Sequence, residues 1–131
     1  MEGPVTPTEP RPVSKADQTA VLTKATLRAA SQLGLTNKLL ATVIGVSEAT
    51  VSRMRNGDYT LQPGHKSFEL AVLFVRLYRS LDAIVGGDGA VAGSWLKHRN
   101  TVLDAEPIAL IQTVPGLMNV IQYLDARRAV V

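Results

Sequence analysis

The sequence predicts an all-α protein, and three observations carry the prediction. Apolar residues recur at spacings of three and four along most of the chain, with no run of strict β alternation. Hydrophobic residues make up 46% of the 131 but aromatics only 5%, so the interior must be built from Leu, Val, Ile and Ala. Glycines and prolines fall between the periodic segments as punctuation. The length fits one domain, or two very small ones sharing a core.

Taken in order, residues 1–14 hold Pro4, Pro7, Pro10 and Pro12 and no apolar period, which predicts a disordered or extended tail. From Lys15 a helix is expected, with Val21, Leu22, Ala25, Leu27, Ala29, Ala30 and Leu33 as its apolar stripe and Gly34 as its stop. A short helix follows over about residues 37–43. Another runs from about Glu48 to Arg55, capped by Ser47 and ended by Asn56-Gly57. The stretch from Asp58 to Gly64 reads as a loop, so one domain is expected over 15–65 and a second over 66–131. Residues 66–85 are apolar on nearly every face, and such a helix is expected to be covered by its own domain and by a second copy, making a homodimer. Gly86-Gly87 breaks it. The next helix, from about Ala90, carries Val91, Trp95 and Leu96, with Trp95 expected in the interior. Residues 100–106 read as a loop, Pro107 opens a short helix, Pro115-Gly116 punctuates again, and a last helix runs from about Leu117 to Arg128.

Several function classes drop out. Without cysteine there are no disulfides, thiolate zinc sites or cysteine nucleophiles. The start lacks the basic and apolar regions of a signal peptide. The most apolar stretch, Phe68 to Val85, carries Glu69, Arg76, Arg79 and Asp82, too many charges for a membrane span. A cytoplasmic protein without membrane contact is expected. His65 and His98 have no carboxylates at metal-ligand spacing, and periodicity assembles no Ser/His/Asp set. Gly86-Gly87-Asp88-Gly89 has neither the preceding strand nor the following Lys-Ser/Thr of a phosphate loop. No catalytic residue, metal or cofactor is expected. The net charge of +3 is unevenly spread: residues 15–66 hold seven Lys/Arg against three Asp/Glu, whereas residues 67–131 balance at six each. A polyanion is therefore expected to meet the first segment.

The sharpest motif lies between Thr36 and Gly57. Two short helices locked at a steep angle need a small residue at the crowded crossing (Ala41), a residue tolerant of positive φ in the turn (Gly45) and a cap on the second helix (Ser47). They also need an apolar set between them, here Leu40, Ile44, Val46, Val51 and Met54. The stretch from Leu40 to Arg53 resembles the repressor-like helix-turn-helix of Xre-type regulators. That resemblance implies a second helix lying in the DNA major groove, with its N-terminal residues nearest the base edges. Glu48, Ala49, Ser52 and Arg53 are then the candidate base readers, Arg53 as a bidentate partner of guanine, and the cap Ser47 is a DNA-contact candidate beside them. Thr36, Asn37, Lys38, Thr50, Arg55 and Asn56 are candidates for phosphate contacts, which position without choosing sequence. One such unit is small, so a dimer on paired half-sites is expected.

Beyond residue 66 the residues alone describe a helical module without chemistry. Trp95-Leu96 followed by Asn100, Glu106-Pro107 with Leu110-Ile111, Gly116-Leu117, Val120 and Tyr123-Leu124 resemble the C-terminal domain of the Xre/MbcA/ParS family of antitoxins. The loop from Thr101 to Ala105 departs from the family pattern in lacking a glycine, and the ending Asp125-Ala-Arg127-Arg128 departs from an acidic-then-glycine ending. The resemblance implies a protein that binds operator DNA and neutralises a RES-domain toxin, an enzyme that destroys NAD, by covering its cleft. Tyr123, Arg127, Arg128 and Val131 are the candidates for toxin contact; the two arginines either pair with acidic catalytic groups of the cleft or stand solvated at a helix C-terminus favoured by its dipole. The other function class open to these residues is a phage-like repressor whose C-terminal domain only dimerises.

Overall fold

The computed structural model describes residues 14–130; of the expected tail over residues 1–14 only Ser14 is described, as the cap of the first helix, and the candidate Val131 also lies outside the described residues. The chain forms seven helices among the described residues: α1 Lys15–Gln32, α2 Asn37–Ile44, α3 Glu48–Arg55, α4 Lys66–Ile84, α5 Gly89–Lys97, α6 Pro107–Leu110 and α7 Val114–Val130. The fold is all-α, as the periodicity predicts. An antiparallel bridge between Asn100 and Ala105 is the sole β pairing among the described residues.

Helix α1 buries the second half of the expected stripe, Ala29, Ala30 and Leu33, but its first half turns a threonine face inward. Val21 is 62% exposed, and Leu22, Ala25 and Leu27 are half-buried. The inward face is Thr19, Thr23, Thr26, Ala29, Ala30 and Leu33. Threonine fits there because each hydroxyl finds a carbonyl on its own helix: Thr23 Oγ1 donates to Thr19 O at 2.6 Å and Thr26 Oγ1 to Leu22 O at 2.8 Å. With the hydroxyls satisfied, the threonines present little bulk and α4 packs close. Thr23 Oγ1 also accepts from the backbone N–H of Leu61 at 3.0 Å, which fixes the loop between α3 and α4 to α1.

The α2–α3 elbow follows the sequence closely. Thr36 Oγ1 accepts from Leu39 N at 3.1 Å, and Ser47 Oγ accepts from Thr50 N at 3.0 Å, so each helix has its cap. Gly45 ends α2 in the left-handed region, at φ 74°, and Val46 N returns to Ala41 O at 3.0 Å. A Cβ at Gly45 would stand 3.4 Å from Leu70 Cδ1 of α4. Leu40, Ala41, Ile44, Val51 and Met54 are buried, as the motif requires.

Helix α4 is covered largely by its own chain, packing against α1 and α2 on one side and α7 on the other, with α5 near its end. The buried set Leu70, Ala71, Phe74, Leu77 and Leu81 belongs to one continuous core reaching from the elbow to α7. Where α4 meets α7, Ser80 Oγ donates to Asp125 Oδ1 at 2.9 Å and Arg76 pairs with the other carboxylate oxygen. Ser80 is 1% exposed, so this polar clamp closes over apolar packing. Helix α5 crosses the end of α1 at Gly93, where a Cβ would lie 2.9 Å from Leu33 O.

The loop between α5 and α6 explains the missing glycine. Asn100 Oδ1 accepts from Val102 N at 2.9 Å and Leu103 N at 3.0 Å, closing an Asx-type turn. The positive φ needed to return the chain, 57°, falls on Asp104, whose carboxylate pairs with Arg99. Asp tolerates that region better than most residues. Helix α7 begins at Val114, three residues before the expected Leu117. Pro115-Gly116 is no break: it forms the first turn, where proline lacks only an N–H that has no helical partner. Thr113 Oγ1 caps the turn by accepting from Gly116 N at 3.2 Å. A Cβ at Gly116 would lie 2.0 Å from Leu110 O, a backbone atom that cannot yield cheaply.

Two stability outcomes follow from this packing. Gly116→Ala is expected to cost about 3 kcal/mol, read by urea unfolding, because α6 and α7 must separate to admit the methyl; a change below about 0.5 kcal/mol would contradict the contact. Thr23→Val keeps the shape but leaves Leu61 N–H buried without its acceptor. The expected loss is about 1–3 kcal/mol, and Thr26→Val, which strands no donor, is expected to cost less.

Candidate functional site: two opposed recognition surfaces

The first surface is the outward face of α3. Glu48, Ala49, Ser52 and Arg53 are all exposed, so the candidate base readers project from the elbow, with the phosphate candidate Asn56 exposed at its end. Ser47 acts as the cap and is exposed beside them. Thr50 differs from the others: it is buried, and its hydroxyl lies 2.9 Å from Ser47 Oγ and accepts from Arg53 Nη2 at 3.0 Å. Arg53 is thereby oriented, and its guanidinium lies 6.0 Å from the centre of the Tyr59 ring. One of its five N–H donors is used in this contact, leaving a fork free for an outside acceptor. Sequence periodicity does not flag Tyr59, which sits in the loop after α3.

Thr36 and Asn37 lie at the start of α2 with exposed Lys38 beside them. The positive end of the helix and the lysine charge make this corner attractive to an anion. Arg55, at the end of α3, reaches across it: its Nε donates to Asn37 Oδ1 at 2.6 Å and its Nη1 to Ser31 Oγ at 3.3 Å. The arginine therefore joins the ends of α1 and α3 to the start of α2. A separation of 18 residues hid the Asn37 contact from the sequence.

The second surface lies on α5 and α7. Trp95 is half-buried, not interior as expected, because its ring stacks on the ring of Tyr123. The centroids are 6.1 Å apart and the planes 14° from parallel. Arg127, one turn after Tyr123, holds its guanidinium 5.9 Å from the Tyr123 ring. A row of Trp, Tyr and Arg results, the three residue types most enriched where proteins bind tightly. Beside it Ala90, Val91, Ser94, Trp95 and His98 line a shallow concavity of about 440 Å³. His98 Nδ1 donates to Ser94 O at 2.7 Å, which fixes the ring at its edge.

The two candidate arginines do not act as a pair. Successive residues of a helix point about 100° apart. While Arg127 lies over Tyr123, Arg128 turns toward α1, where it lines a groove with Gln18 and Val21. Among the described residues no group of three or more His, Asp or Glu could hold a metal ion, and no helix is long and apolar enough to cross a membrane.

Comparison with known families matches both surfaces to named domains. The model of the antitoxin Xre-like helix-turn-helix domain matches residues 12–76. The model of the antitoxin Xre/MbcA/ParS C-terminal toxin-binding domain matches residues 80–129. The boundary between them falls inside α4. No curated protein matches the chain by sequence. Among solved structures, a chain of the crystal structure of the M. tuberculosis MbcT-MbcA toxin-antitoxin complex superposes with a TM-score of 0.64 at 20% identity, over 85% of this chain and 96% of that one. At that identity the likeness concerns the fold. With the two family models together spanning nearly all the residues from 12 to 129, the chain belongs to the Xre/MbcA/ParS antitoxins, a helix-turn-helix domain followed by a toxin-binding domain.

Proposed function

We propose that this antitoxin binds a RES-domain, NAD-degrading toxin through the Trp95–Tyr123–Arg127 row and the end of α7, covering the mouth of the toxin's NAD cleft. We propose also that it binds operator DNA through α3, as a dimer on paired half-sites in the cytoplasm. The observation that carries the toxin reading is the row of half-buried Trp95 and Tyr123 and exposed Arg127 inside the matched toxin-binding domain. A solvated helix end has no use for a tryptophan ring held half-exposed against a tyrosine. The MbcT-MbcA likeness supports the reading, since that structure is a toxin-antitoxin complex. Inhibition is steric and electrostatic: Arg127 has four or five N–H donors for acidic groups at the cleft, and the rings exclude water around them.

The clamp of Asp125 against Arg76 and Ser80 sets how this is tested. A chain ending at Ala126 keeps the clamp and α7 while removing Arg127, Arg128 and Val131. Co-expressed with a RES-domain toxin, the full chain is expected to preserve cellular NAD and co-purify with the toxin. The shortened chain is expected to co-purify more weakly and let NAD fall. Failure of the full chain to form any complex with a RES-domain protein removes the toxin reading; full protection by the shortened chain removes the arginines from it.

For DNA, Arg53→Ala is expected to weaken binding to the promoter fragment by about 1–3 kcal/mol and relax sequence preference at one base pair. Lys38→Ala is expected to weaken all sequences alike and lower the salt slope by about one. Binding insensitive to both changes, at any salt, would show that α3 does not enter the groove.

A further inference from the structure

The unexpected face of α1 leaves a groove that neither recognition surface uses. Between α1, α4 and the end of α7 a concavity of about 600 Å³ has Val21, Leu22, Ala25, Val72 and Val75 as its apolar lining. It continues into a second of about 480 Å³ that shares Val21, Ala25, Val75 and Arg79. Val21 is 62% and Val72 46% exposed, two of the five most exposed large hydrophobics among the described residues. Around this floor stand Lys24, Arg28, Arg79 and Arg128. Among the described residues none of the four has an ion-pair partner. Among the described residues the one carboxylate lining the groove, Asp125, is already held by Arg76 and Ser80.

The charge and the floor together select the occupant. A second copy seated symmetrically would bring these cations against one another, and like charges across an interface oppose it. A DNA backbone would satisfy the cations, and Arg28 lies one turn from Ser31, which Arg55 contacts; but phosphates leave the valines as exposed as before. A helix with an aliphatic face flanked by carboxylates meets both demands. Its aliphatic residues cover Val21 and Val72, and its carboxylates reach the four unpaired cations. We propose that the α1–α4–α7 groove docks an acidic amphipathic helix of a partner protein. Apart from Arg128 at the end of α7, this surface is distinct from the Trp95 row and from α3, and its test reads peptide binding without toxin or operator.

Two synthetic helical peptides with the same leucine face decide it, one flanked by Glu and one by Lys, titrated into the full chain. The Glu peptide is expected to bind, with amide NMR shifts at Val21, Ala25, Val72 and Val75, and the Lys peptide is not. The double change Arg28→Glu and Arg79→Glu is expected to weaken the Glu peptide at least about tenfold with the circular dichroism spectrum unchanged. Should the reversal disturb folding, Arg79→Gln is expected to weaken binding in the same direction. Equal binding of both peptides would overturn the proposal, as would equal binding of polyglutamate, which has charge but no apolar face. Shifts of these amides with duplex DNA in place of the Glu peptide would overturn it in favour of nucleic acid. Shifts that appear with protein concentration alone would overturn it in favour of a second copy.

Discussion

The packing of α4 against α1 and α2 on one side and α7 on the other is the constraint on which the remaining geometry rests. Leu70 fills the space beside Gly45, so the left-handed turn between α2 and α3 is backed by α4 and not merely permitted by the missing side chain. Two to three turns further on, Arg76 and Ser80 hold Asp125 and with it the register of α7. The same helix therefore supports the elbow at one end and α7 at the other. Its burial comes from one core, since Leu40, Ile44, Phe74, Leu81, Ile121 and Leu124 belong to a single cluster. The family boundary inside α4 marks a change of function along the chain, but no gap in packing accompanies it.

Such a frame lets short elements be precise. Helices of eight residues are marginal alone, and α2 and α3 gain their stability from tertiary burial and from their caps. Rigid backing matters more for recognition than for bulk stability, because a reading helix must present its side chains at fixed spacing. The ties from Arg55 to Asn37 and Ser31, and from Arg53 to Thr50, serve that end: exposed cations are oriented without being buried. On the other surface, stacking of Trp95, Tyr123 and Arg127 costs little ordering entropy when a partner arrives, since the rings already support one another.

How much of this was legible in the sequence depended on the range of the interaction. Caps, the Gly45 turn and the inter-helix core are local, and residues 36–57 contained them in full. The all-α class and most helix ends were local too. What failed was long-range or subtle. The first half of the α1 stripe was misread, though Ala29, Ala30 and Leu33 are buried as expected: hydrophobicity favours Val21 over Thr23, whereas threonines that bond their own helix pack as small apolar residues. Pro115-Gly116 looked like a stop, yet proline suits a first turn and Gly116 is required by Leu110 O across the α6–α7 contact. Asp104 took the positive φ for which a glycine was sought. The stacking of Trp95 on Tyr123 joins residues on different helices and has no periodic signature. Arg127 and Arg128 are adjacent in sequence, but the helix turns them to different faces, Arg127 over Tyr123 and Arg128 toward α1.

The shared frame makes one claim that separates it from two small domains joined by a long helix. Native-state hydrogen exchange measures it residue by residue, through the free energy and denaturant dependence of opening. Buried amides of the elbow, such as Ile44 and Val51, and of α7, such as Ile121 and Leu124, are expected to open with one common free energy and one common slope. Two groups of amides, each opening at its own energy with the division falling within α4, would contradict it.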